Sequence, residues 1–189
     1  RVDLAPLLAD FPSVYADAHV RILENPEALP RAWLVHEARQ VAPGEALGLL
    51  ADGTVDPRQT ALLETAPPTL SAPADPAAET VRLIQDAPDR LELDVRAESP
   101  ALLVLSEVWD PGWSATVSGV PAPVSVADQL LRAVPIPPGQ HTVVLAYDPP
   151  LLRVGLAITS VTVLAIIVVW GSLAFRERKR PRPAFGHAP

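Results

Sequence analysis

Between residues 81 and 147 the apolar positions gather into seven short runs: 81–85 (VRLIQ), 90–97 (RLELDVRA), 101–108 (ALLVLSEV), 113–117 (WSATV), 120–126 (VPAPVSV), 130–136 (LLRAVPI) and 141–147 (HTVVLAY). Apolar runs of this length bounded by turn residues are predicted as β-strands, and the cleanest alternation, with a period of two, is in 90–97. In 90–97, Leu91, Leu93, Val95 and Ala97 share one face. The run 101–108 is apolar on both faces for most of its length, as a central strand covered on two sides must be. Turn residues separate the runs. Asp110-Pro111-Gly112 suits a type II bend, Ser118-Gly119 a two-residue hairpin loop, and Pro137-Pro138-Gly139-Gln140 a further turn. Strands recurring at intervals of about 8–12 residues predict a β-sandwich.

The first 65 residues are mixed. Residues 1–18 place Leu4, Leu7, Leu8, Phe11, Val14 and Tyr15 at spacings that suit a short helix or turn, interrupted by Pro6 and Pro12. Strands are predicted over 19–24 (HVRILE), 31–37 (RAWLVHE) and 60–64 (TALLE), and a helix over 44–51 (GEALGLLA), stopped by Asp52-Gly53. Residues 66–78 (APPTLSAPADPAA) have no periodicity. They form either an internal boundary or a long loop within one domain.

Residues 154–175 (VGLAITSVTVLAIIVVWGSLAF) break the alternation altogether: 22 residues without a charge. At about 1.5 Å per residue such a helix spans roughly 33 Å, the thickness of a bilayer's hydrocarbon core. Arg176, Arg178, Lys179, Arg180 and Arg182 follow it, whereas only Arg153 lies close on the other side. The positive-inside rule therefore puts the tail in the cytoplasm and residues 1–150 outside. Trp170 and Tyr147 lie near the two boundaries, where amphipathic rings sit. Gly155, Thr159 and Thr162 share a face on which another helix could pack closely; equally, each threonine could bond back to its own helix.

The predicted class is therefore mainly β: an extracytoplasmic sandwich with a small α/β N-terminal part and one C-terminal transmembrane helix. The expected divisions are an N-terminal portion 1–65, a Pro/Ala-rich connector 66–80, the sandwich 81–148, the membrane helix 151–175 and a basic tail 176–189.

Composition sharpens this. From residue 154 onward the chain has five basic residues and one acidic, which leaves −11 of the net −7 on residues 1–153. An acidic domain lacks the clustered Lys and Arg that nucleic acid requires, so no nucleic-acid partner is expected. With no cysteine there is no disulfide, thiolate metal site or cysteine nucleophile. The 23 prolines, about twice the usual share, are dispersed between apolar runs and indicate many short strands and turns. The sequence opens at Arg1 without a signal segment, so delivery across a membrane requires either a removed signal or further chain upstream.

Candidate chemistry is sparse. On its strand Glu107 shares a face with Leu103 and Leu105. It is expected either as the structural partner of Arg132 at the sheet margin or as an acceptor for a sugar hydroxyl or lipid head group. Trp109 and Trp113 flank the Pro-Gly turn; Trp113 is expected in the core, and Trp109 could go either way. His19, His36, His141 and His187 have no ligand spacing, so no metal is expected, and no phosphate loop or nucleophile elbow points to a cofactor or a catalytic residue.

Several segments resemble one family. Glu24-Asn25-Pro26 with Leu29-Pro30-Arg31-Ala32, and Asp56-Pro57-Arg58 leading to Leu63-Glu64, are similar to YfhO-type bacterial membrane proteins. So are Leu103-Val104-Leu105-Ser106-Glu107 through Pro111-Gly112-Trp113, Leu131-Arg132-Ala133-Val134, Pro138-Gly139-Gln140-His141 and Tyr147-Asp148-Pro149. The resemblance covers roughly residues 14–160 and departs at Ser118, where the family often has Asp. It implies a large multi-pass protein similar to GT-C glycosyltransferases, which use polyprenyl-phosphate-linked sugars. The catalytic acid of such enzymes lies in an early loop outside this sequence, so this portion is expected to be non-catalytic, positioning an acceptor or covering the site. The implied location is the bacterial plasma membrane. The implied partners are the bilayer, the parent chain's upstream helices, and a polyprenyl-linked sugar or cell-envelope glycan. The alternative is a membrane-anchored carbohydrate-binding or structural sandwich without transferase activity.

Overall fold

The computed structural model describes residues 11–178. In chain order these form β1 (Ser13–Ala16), β2 (Arg21–Leu23), β3 (Ala32–Val35), β4 (Glu37–Gln40), α1 (Ala46–Ala51), β5 (Thr60–Leu63), β6 (Thr80–Ala87), β7 (Arg90–Ala97), β8 (Ala101–Val108), β9 (Trp113–Val117), β10 (Val120–Ala122), β11 (Ser125–Ala127), β12 (Leu131–Ile136), β13 (Gly139–Tyr147) and α2 (Pro150–Arg178). The architecture is mainly β, with a short N-terminal helix and one long apolar C-terminal helix.

Two sheets make the sandwich. One has the order β10-β9-β13-β7-β6, the other β3-β8-β12-β11-β5-β4. The alternation in β7 puts Leu91, Leu93, Val95 and Ala97 into the space between them, opposite Ala101, Leu103 and Leu105 of β8 and Val134 and Ile136 of β12. Burying each such Leu or Val stabilises the fold by about 1.5–3 kcal/mol. The other face of β8 is buried too. Leu102 and Val104 join Trp33, Val35, Ala61, Leu63, Ala127 and Ala133 in a second cluster on the far side of the six-stranded sheet. That face is enclosed because the sheet curls: β3 and β4 are its opposite edges, yet one residue, His36, joins them. A third small cluster seats α1 through Ala46 on Leu62 and Val41. Strands on both sides of residues 66–80 contribute to the six-stranded sheet.

Four local expectations change. Residues 13–16 form an exposed strand paired with β2, not a helix or turn, because the hairpin supplies a partner that periodicity does not reveal; residues 1–10 lie outside the described residues. The single run 31–37 is two strands bent at His36. The run 120–126 is also two strands: β10 pairs with β9, the chain crosses sheets at Pro123-Val124, and β11 pairs with β12. Pro123 cannot donate to a ladder, so the strand ends there. Finally, the Asp110-Pro111-Gly112 bend is not type II, since Gly112 lacks the positive φ that type requires. Its glycine is needed for space: a Cβ there would lie 2.7 Å from Tyr147 Cε2 and 3.1 Å from Pro149 Cα. Ser118 and Gly119, at φ 50° and 79°, form the two-residue hairpin turn.

Helix α2 begins three residues after β13. Its stretch Leu151–Gly171 holds 21 residues, long and apolar enough to cross a bilayer. Every side chain in that stretch is exposed within the chain, so the sandwich does not cover it.

Candidate functional site

Strand direction sorts the loops into two ends. Strands β8, β13 and β6 finish, and β3, β9 and β12 begin, at the end from which α2 leaves; call it the helix end. The β7–β8 and β9–β10 turns and His36 lie at the far end.

At the helix end the core margin is closed by a polar cluster. Arg132 is on the inward face of β12, in line with Val134 and Ile136, and only 5% exposed. Its Nη2 lies 2.7 Å from Glu107 Oε2, its Nε donates to the Val108 carbonyl at 2.9 Å, and its guanidinium carbon stands 3.8 Å from the centroid of the Trp113 ring. Glu107 reaches Arg132 because β8 bulges. Opposite Leu131 and Arg132, which are consecutive, the partners are Val108 and Leu105, leaving Ser106 and Glu107 looped between them. The other oxygen of Glu107 is bound by Arg31, which also reaches Asp86 at 3.3 Å. One carboxylate thus holds two guanidiniums.

Burial pushes the Arg132 guanidinium down from its ordinary pKa, and the adjacent Glu107 pulls it back up. Arginine keeps its proton throughout the accessible range, so Arg132 carries a fixed positive charge. Its Nη1 is buried and finds no hydrogen-bond partner among the described residues. Trp113 also packs on Tyr147, with ring centroids 5.2 Å apart at 42°. Burial and Asp110 together raise the Tyr147 hydroxyl.

Of the residues singled out from sequence, Glu107, Arg132 and Trp113 meet here. Trp109 does not: its Nε1 donates to the Val124 carbonyl at 3.2 Å and its backbone N–H to Leu130 at 2.8 Å, tying the β8 end to the β11–β12 segment. Gly155, Thr159 and Thr162 lie on α2. Thr162 Oγ1 donates to the Ile158 carbonyl at 2.9 Å, and a Cβ at Gly155 would meet nothing within 4 Å.

Three residues of weight were not expected at a site: Arg31 entered only through the family resemblance, Asp128 not at all, and His36 only as a histidine without ligand spacing. Arg31 enters the cluster across 76 positions of sequence, a distance over which spacing carries no signal. Asp128 ends β11, and its Oδ1 accepts from Leu62 N–H at 2.8 Å while its own N–H bonds Leu62 O, extending the ladder to β5. Burial raises its carboxyl pKa, against the lowering effect of the Leu62 N–H, and Oδ2 has no partner among the described residues. Asp128-Gln129, both at positive φ, was a turn signal available in the sequence.

The third is His36. Its Nδ1 lies 2.9 Å from the Ser71 carbonyl and its Nε2 2.8 Å from Glu79 Oε2. Glu79 in turn accepts from Glu98 N–H at 2.9 Å. This knot, at the far end, fastens residues 71–79 over the bend between β3 and β4. Among the described residues, no group of three or more His, Asp or Glu side chains is placed to hold a metal ion.

Residues 47–159 match the family model described as bacterial membrane protein YfhO, a match that runs from α1 through the sandwich into α2 and covers more than half of the chain. No curated protein and no solved structure gives a match.

Proposed function

The chain belongs to the YfhO family of bacterial membrane proteins, and from that premise we propose that it is the C-terminal β-domain and last membrane helix of a multi-pass transferase acting on lipid-linked sugars. In this reading residues 1–150 lie outside the plasma membrane and residues 176–189 in the cytoplasm, as the basic flank of α2 favours. The domain is accessory, holding an acceptor or covering a reaction site formed by upstream helices.

The observation that carries the accessory role is the state of Glu107. Both its oxygens are taken by guanidiniums, and its side chain is 15% exposed. A general acid or nucleophile needs a carboxylate free to exchange a proton or attack. The same packing argues against the carbohydrate-binding alternative at this site. Trp113 has Arg132 against its ring and Tyr147 beside it, so it offers no open platform for a sugar.

The test is to purify the native protein from membranes, determine its intact mass, and assay sugar transfer from a polyprenyl-phosphate donor. A mass well above 20.1 kDa with donor-dependent transfer is the expected result. A species near 20.1 kDa that binds glycans and transfers nothing establishes the anchored-module alternative. Within an active parent, Glu107→Gln is expected to lower stability while leaving per-molecule turnover within a few-fold. Abolished turnover in a folded variant overturns the accessory reading.

A further inference from the structure

The helix end carries an apolar surface that the sandwich leaves uncovered. A groove of about 460 Å³ between α1 and the β11–β12 turn is walled mainly by Leu29, Leu47, Leu50, Pro57, Leu130 and Leu131, with Asp128 and Gln129 of the turn at its polar side. Leu47 is 64% exposed, Leu130 53%, and Val108 beside them 57%. Scattered exposed apolar residues are ordinary, but a contiguous set beside a groove marks a surface that is covered in the working protein.

What covers it follows from where α2 leaves. Leu130 O accepts from Trp109 N–H, and Trp109 precedes the 110–112 bend. That bend is locked to the root of the helix: Gly112 O accepts from Asp148 N–H at 2.8 Å, and Gly112 packs against Pro149. The membrane stretch starts at Leu151. The groove rim is therefore connected to the point of membrane entry through short, hydrogen-bonded links, and four residues from Tyr147 to Leu151 can span at most about 14 Å. The sandwich cannot lift this end far from the lipid surface.

We propose that the helix end is a second membrane contact, seated in the bilayer interface, and that the groove between α1 and the β11–β12 turn takes the acyl chain of a bilayer lipid. Leu47 and Leu130 enter the hydrocarbon boundary as interfacial apolar side chains do. Arg31, half exposed and shared between Asp86 and Glu107, stays at head-group level with its charge already paired. The contact fixes the tilt of the sandwich relative to α2, which a single helix joined through a few residues cannot do alone. This inference does not depend on any transferase activity.

These 189 residues contain no cysteine, so a single introduced thiol is unique among them, and the unsubstituted protein carried through the labelling sets the background. Leu47→Cys, Leu130→Cys and Val120→Cys are each spin-labelled in the full chain and reconstituted in phosphatidylcholine–phosphatidylglycerol nanodiscs. Val120 is the matched control, 66% exposed and equally apolar but at the far end. Collision with dissolved oxygen, which concentrates in lipid, is compared with collision with a water-soluble nickel chelate. The expected result is an oxygen-to-nickel ratio several-fold higher at 47 and 130 than at 120. Nickel accessibility at 47 and 130 equal to that at 120 overturns the proposal. So does shielding of both from oxygen and nickel alike, since that means protein covers the groove. Val108→Cys reads the same end if either labelled variant fails to fold.

Discussion

The two ends of the sandwich are closed by polar knots of opposite character. At the far end His36, Glu79, Ser71 and Ser99 form a compact set in which both ring nitrogens of His36 face oxygen partners. At the helix end Arg132 is buried with a charge, leans on Trp113, and has its Nη1 without a partner among the described residues. The first knot fastens a long connecting segment. The second closes the core beside the root of α2 and lies at the same end as an uncovered apolar groove. A satisfied knot adds rigidity at little cost, whereas a buried ion pair must offset its own desolvation. The helix end should therefore respond to substitution much more strongly than the far end.

The sharpest way to break that contrast is Glu107→Ala. It strips the buried Arg132 of its counter-charge and is expected to cost about 3–5 kcal/mol, read by denaturant unfolding of the full chain in detergent. In a double-mutant cycle, Glu107→Gln and Arg132→Leu together should cost little more than either alone, because the two side chains act as one unit. Additive losses would show that the pair is not coupled.

Next in size is Gly112→Ala. Its new methyl group meets Tyr147 and the Pro149 backbone, and overpacking of this kind costs about 1–3 kcal/mol. Altered tryptophan fluorescence should accompany the loss, since Tyr147 packs on Trp113. Gly48→Ala is the counter-case: it lies inside α1 with open space around it and should stabilise by up to about 1 kcal/mol.

At the far end His36→Ala removes hydrogen bonds to Ser71 and Glu79 and should cost about 1–2 kcal/mol. Its distinguishing sign is faster limited proteolysis within residues 66–79. A loss as large as that of Glu107→Ala would erase the contrast between the ends.

The smallest effect is expected at Asp128. Its folded-state pKa is raised, so the folded chain binds this proton more tightly than the unfolded one. That contribution is fully present below the ordinary carboxylate pKa and is lost as pH rises through the raised folded value. Asp128→Asn keeps an acceptor for Leu62 N–H and tolerates the positive φ. It should raise stability by roughly 1 kcal/mol at neutral pH and flatten the decline on the alkaline side of the carboxylate range. An unchanged pH profile would exclude Asp128 as its source.

Much of this was legible in the chain itself. Alternation in 90–97 marked a strand whose apolar face is the buried one, and the unbroken apolar run in 101–108 marked a strand covered on both faces, because a period of two is a property of the extended backbone and needs no partner to be read. The uncharged stretch after Arg153 marked the long helix for a similar reason: length and polarity alone decide whether a segment can cross lipid. Glu107 and Arg132 stood out as charges at the ends of apolar runs.

Partnership was not legible. Which strands are neighbours, that 120–126 serves two sheets, that one residue at His36 joins opposite edges, and that Arg31 shares Glu107 with Arg132 all depend on contacts between residues far apart in sequence. Local pattern was enough for most strands and for the long apolar helix, since these follow from backbone geometry and solvent preference within a window of residues. The curl of the six-stranded sheet, the two polar knots and the apolar groove needed the folded chain, because each is the meeting of side chains that no local periodicity relates.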